Sequence, residues 1–199
     1  MKRIFAFAAS FLLICQGAAS ALDWKPISHQ ESKLTIVSED FSPSNMSWAK
    51  DKNSRIERAY LELRGTPAGL MVVDRLVTGN YCGYTDESIK RTLNSGSWLE
   101  RYLISKGAPE FDFDKTRSQR TKFGFGKYLD LDGDTNRCIA FAQFTRAGTG
   151  TNCMFGGMEI LILGVCSPKD KPEAADLDKR VFTMVDKMFT DGSGKDKIQ

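Results

Sequence analysis

The apolar and polar positions of this chain fall into blocks, and each block predicts an element. Residues 33–38 (Lys-Leu-Thr-Ile-Val-Ser) read as a first strand. Residues 41–53, rich in Ser, Asn and Lys and holding Pro43, read as a loop. In 55–64, Ala59, Leu61 and Leu63 fall on one side and Arg58 and Glu62 on the other, which predicts a strand, with a short helix as the rival. Gly65, Pro67 and Gly69 punctuate a turn before a strand-like apolar run over 70–78. Thr85, Asp86 and Glu87 start a helix reaching about Leu93: a capping hydroxyl, then two acids at the positive end of the dipole. Gly96 ends it, and Ser97-Trp98-Leu99-Glu100 opens another as a capping box, with Trp98, Leu99, Tyr102 and Leu103 at helical spacing and Gly107 as the stop.

Residues 106–119 read as a connecting loop. Three strands follow, at 122–129, 137–146 and 158–166, the first two joined by the turn signal Asp132-Gly133. Pro172 stands in the first turn of a last helix, where its missing amide is harmless. Ala174, Leu177, Val181, Met184, Val185 and Met188 give that helix one apolar stripe. The expected fold is α+β: an antiparallel sheet with a C-terminal three-strand meander, helices packed on one face, and a C-terminal amphipathic helix.

Residues 1–21 read as a cleavable secretory signal peptide. Lys2 and Arg3 precede an uncharged apolar run over 4–14, and Ala19-Ser20-Ala21 offers small side chains to a signal peptidase. That run is shorter than the ~20 residues a membrane-spanning helix needs. Cleavage leaves 178 of the 199 residues and lowers the formal net charge from +3 to +1, since only Lys2 and Arg3 are lost. The expected mature protein, 22–199, is a single domain with a mobile N-terminal arm and a polar C-terminal tail. Its near-neutral balance gives no electrostatic case for nucleic acid, and it holds no integral membrane segment after cleavage.

The leader also takes Cys15, leaving Cys82, Cys138, Cys153 and Cys166. An even count in an exported chain predicts disulfides, and four cysteines allow three pairings. If strands 137–146 and 158–166 pair antiparallel, Cys138 falls opposite Cys166, leaving Cys82 with Cys153. No C-x-x-C motif is present, and His29 is the only histidine available as a base for a nucleophilic thiol or hydroxyl.

Four constellations carry candidate chemistry. Asp130, Asp132, Asp134 and Asn136 alternate oxygen ligands as Ca²⁺ requires, and the opening resembles an EF-hand loop. The sixth position is Thr135 rather than Gly, and the twelfth is Phe141 rather than Glu, so a solvated acidic turn is the preferred reading. Asp112 and Asp114, with Glu110, form an acid pair of the kind that runs glycoside hydrolysis, although Phe111 and Phe113 beside them also suit a loop anchored to the core. The glycine-rich segment with Thr149, Thr151, Asn152 and Phe155 is the leading binding-loop candidate. Phe123, Phe125, Phe141 and Phe144 suit either a sugar-stacking platform or the core side of a sheet. No cofactor and no structural metal are implied. The expectation is an exported, disulfide-stabilised, non-catalytic protein, periplasmic or secreted, whose partner is a protein or an envelope component. The alternative is a carboxylate-based hydrolase of a cell-wall or extracellular polymer.

Overall fold

The computed structural model describes residues 23–28, 40–50, 56–65, 67–76, 86–146 and 159–188. Eight strands form one sheet: β1 (Lys25–Pro26), β2 (Ser42–Lys50), β3 (Ile56–Arg64), β4 (Ala68–Leu76), β5 (Arg117–Thr121), β6 (Gly124–Asp132), β7 (Asn136–Arg146) and β8 (Glu159–Pro168). Their order is β1-β2-β3-β4-β8-β7-β6-β5, and every neighbouring pair is antiparallel. The helices are short: α1 (Asp86–Thr92), α2 (Trp98–Ile104) and α3 (Leu177–Lys187). The fold is therefore mainly β rather than α+β.

The helices also do not share a face. Along β8, Leu161, Leu163 and Val165 point to one side and Ile160, Ile162 and Cys166 to the other. The α3 stripe of Leu177, Val181, Met184, Val185 and Met188 covers the first side, while Ile89 and Leu93 of α1 and Leu99 and Leu103 of α2 cover the second. A sheet with one wet face shows apolar and polar residues in alternation. The uninterrupted apolar run of β8, with nine of its ten residues buried, instead requires cover on both sides. Gly164 lets α2 come close, because a Cβ there would lie 2.9 Å from Leu99 Cδ1 and 3.0 Å from Leu103 Cδ2. Burying Leu99 and Leu103 contributes about 1.5–3 kcal/mol each.

Other boundaries differ from the sequence expectation. The expected loop over 41–53 contains β2. Among the described residues β1 pairs only with Ser47 and Trp48, so no ladder bond on the outer side of β2 needs the amide that Pro43 lacks. Asn45, with φ of 46°, takes up the bulge that shifts the β2–β3 register between Ser44 and Ser47. The expected loop over 106–119 ends early, since β5 begins at Arg117 after a 3-10 turn at Phe113–Lys115. The final helix begins later than expected: Pro172–Ala174 form a separate 3-10 turn and α3 starts at Leu177. The expected strand at 33–38, the start of the first helix at Thr85, and the N-terminal leader and C-terminal tail lie outside the described residues.

The meander β6-β7-β8 forms as its spacing predicts, with Cys138 directly opposite Cys166 and a disulfide between them. The bridge spans 28 residues, a loop worth roughly 3–4 kcal/mol by chain entropy. Cys82 and Cys153 lie outside the described residues.

Candidate functional site

The described surface holds a groove of about 860 Å³ on the α3 side of the sheet, lined mostly by charged residues. Asp130 and Asp132, two apart on β6, point to that side, and Arg137 of β7 stands beside them. The connection from β8 to α3 and Arg117 of β5 supply the walls. Arg137 organises the floor. Its Nε and Nη2 donate to the two Asp130 carboxylate oxygens at 2.9 and 2.8 Å. Its Nη1 donates to the carbonyls of Ala174 and Ala175 at 2.7 and 2.9 Å, and Nη2 also reaches Asp178 at 3.3 Å. A guanidinium has five N–H donors, and five acceptor contacts use them up. The hydrogen bonds to Asp130, followed by the charges of Asp130 and Asp178, outweigh burial and raise the Arg137 pKa above its ordinary value. Arg137 thus clasps the approach to α3 onto β6 and β7.

Of the four oxygen-bearing residues weighed as Ca²⁺ ligands, three have other partners. Asp130 holds Arg137, and Asp132 holds Lys169 at 2.6 Å. Asn136 donates its amide to the Lys106 carbonyl at 2.6 Å, and Asp134 stands exposed in the turn. Among the described residues no group of three or more His, Cys, Asp and Glu side chains is placed to hold a metal ion. The turn packs against the end of α2: a Cβ on Gly133 would lie 2.1 Å from the Gly107 carbonyl oxygen.

The acid pair is likewise local. Asp112 Oδ1 accepts the Asp114 amide at 3.2 Å and so caps the 3-10 turn, and Lys115 pairs with Asp112 at 3.0 Å. The hydrogen bond from Lys115 holds the Asp112 carboxyl below the usual carboxylate range. Asp114 and Glu110 are exposed, as is Asp112. Phe111 is buried and anchors the segment to the core beside α1 and α2.

The four phenylalanines do not form one platform. Phe141 is buried on the α3 side, its ring 5.7 Å from that of Phe182, and Phe144 packs on the opposite side, as an odd spacing on a strand requires. Phe123 is partly buried with Phe141, whereas Phe125 is 72% exposed. The binding-loop residues Thr149, Thr151, Asn152 and Phe155 and the lone His29 lie outside the described residues.

Two structural roles escaped the sequence reading. Glu100, buried on α2, accepts the Gly96 amide rather than that of Ser97, and its other oxygen accepts the Phe111 amide at 2.6 Å, while Ser97 Oγ accepts the Glu100 amide at 3.1 Å. Asp74, buried on β4, takes both Nε and Nη2 of Arg58 from the directly opposite position on β3, the second at 2.7 Å. The strand alternation that placed Arg58 on one side of β3 was the signal available for that pair.

No helix among the described residues is long and apolar enough to cross a membrane. Comparison with known protein families, curated proteins and solved structures finds no match to this chain.

Proposed function

We propose that this protein is exported to the cell envelope or the extracellular space and has a binding or structural role there, without catalysis of its own. The Cys138–Cys166 bridge at the centre of the sheet carries this reading, because such bonds persist in oxidising compartments. The leader-like segment 1–21 agrees with it. The commitment of Asp130, Asp132 and Asp112 to Arg137, Lys169 and Lys115 favours binding over a carboxylate hydrolase. A general acid needs a raised pKa, and Lys115 drives Asp112 the other way. The partner is a protein or an envelope component.

Fractionation with N-terminal sequencing tests the reading, together with thiol titration under denaturing, non-reducing conditions. The expected product starts at Leu22, leaves the cytoplasm and shows no free thiol. An uncleaved cytoplasmic chain whose thiols all titrate would overturn it. A hydrolytic activity lost in the Asp112→Asn, Asp114→Asn double variant would replace it with the enzyme reading.

A further inference from the structure

The strand at the far edge of the sheet is chemically unlike the rest of the chain. Residues 115–127 (Lys-Thr-Arg-Ser-Gln-Arg-Thr-Lys-Phe-Gly-Phe-Gly-Lys) hold five cations and no carboxylate, in a protein of net charge only +3. They build β5, its turn and the start of β6. In the described sheet β5 pairs with β6 alone, so its outer edge presents a row of backbone donors and acceptors. Of the five cations, Lys115 pairs with the exposed Asp112, Lys122 donates to the Met188 carbonyl, and Lys127 donates to Ser118 Oγ at 2.8 Å. Arg117 and Arg120 make no ion pair among the described residues, and both are exposed. Arg117 stands opposite Tyr128, which faces α3, and Arg120 stands opposite Phe125 on the other side with its guanidinium 5.9 Å from that ring. The edge strand therefore offers one cation on each face. The half-buried Gln119 donates its side-chain amide to the Arg120 carbonyl at 2.9 Å, a solvent-exposed hydrogen bond that an incoming strand would have to displace.

We propose that β5 is a docking edge that accepts an extended acidic segment of a partner protein as an added strand. This deepens the binding role proposed above and rests on it. Strand addition supplies main-chain hydrogen bonds, and flanking side chains select the partner. Here the selection is by charge: acids three residues apart on the incoming strand fall on opposite faces, one beside Arg117 and one beside Arg120. The same two cations repel a second copy of β5, so the edge is guarded against self-pairing yet open to a partner of opposite sign.

The test uses the purified, oxidised protein and a fluorescent, end-capped heptapeptide of Thr and Val with two Glu residues three apart. Anisotropy is expected to show saturable binding. N-methylating alternate amides of the peptide should abolish it, because the main-chain bonds are then blocked. The Arg117→Glu, Arg120→Glu double variant should bind about tenfold or more weakly. A Lys-for-Glu peptide should recover binding to that variant. Unchanged thermal unfolding of the variant, whose two sites are exposed, keeps the comparison clean. The proposal fails if no peptide binds, if the N-methylated peptide binds equally, or if single-stranded DNA or polyphosphate displaces the peptide as well as the peptide itself does. The last result would mark a plain polyanion surface. None of these failures would alter the leader cleavage or thiol count on which the export reading stands.

Discussion

Arg137 has five N–H donors, and its surroundings use each of them. Two go to Asp130, two to the carbonyls of Ala174 and Ala175, and one to Asp178. Its side chain is only 18% exposed, so these bonds are partly shielded from water. Arg137→Ala would leave Asp130 and two carbonyls without their donor. We expect a loss of about 2–3 kcal/mol, below the ~3–5 kcal/mol of a fully buried broken pair because water still reaches the groove. Urea unfolding of the oxidised protein measures it, and an unchanged midpoint would remove Arg137 as the clasp. Nothing in the sequence singled out this residue. Its acidic neighbours on β6 were visible as a cluster, which reads as a solvated acidic turn with a cation site as the rival. What separates the readings is the guanidinium brought in by the β6–β7 register, which pairs Asp132 with Arg137.

At the scale of elements, α2 shows how a correct local signal can omit a long-range role. The capping box places the start of α2 after Ser97, and the helix begins there. The Glu100 carboxylate, however, serves two segments at once, the turn at Gly96 and the chain at Phe111, eleven residues on. Glu100→Ala leaves two amides without acceptors, one of them in a buried contact. The expected cost is about 2–3 kcal/mol, more than the ~1 kcal/mol of an ordinary cap. Glu100→Asp, too short to span both amides, should recover little of it. If Glu100→Ala unfolds at the parent's denaturant concentration, the Phe111 link contributes nothing. For β2 the local signal was misleading, since Ser, Asn and Pro are loop residues by composition. Among the described residues, β1 on its outer side reaches only Ser47 and Trp48 and demands no donor from Pro43.

For the whole molecule, the packing of one layer on another fixes how stability depends on pH at the alkaline end. Tyr102 of α2 is half-buried near Tyr60 and Glu62 of β3, and Lys106 lies 5.6 Å from its ring. Burial, then repulsion from Tyr60 and Glu62, pushes its pKa from 10.0 up to about 12. The unfolded chain loses this proton first, so in that range the folded state binds more protons and stability falls as pH rises. The contribution of Tyr102 is complete below about pH 10 and is lost as pH rises through about 12. Lys122, whose pKa burial lowers, acts with the opposite sign, so the Tyr102 share is read as a difference. Tyr102→Phe should flatten the decline between pH 10 and 12 relative to the parent. Equal slopes would mean that the α2–β3 contact does not hold that proton.

The sequence by itself determined what depends on neighbours along the chain: the meander of β6, β7 and β8, the opposition of Cys138 and Cys166, the start of α2, and the apolar stripe of α3. These follow from periodicity, turn chemistry and capping, which act over a few residues or across one hairpin. Only the tertiary structure decided the predominance of the eight-stranded sheet, the placing of α1 and α2 on one face and α3 on the other, and the use of Asp130 and Asp132 as structural partners. It also placed Arg117 and Arg120 on a strand that, among the described residues, pairs with β6 alone. The reason is physical: a strand's alternation says that it has two faces but not what covers each, and a carboxylate's chemistry depends on the cation that folding brings to it from another strand.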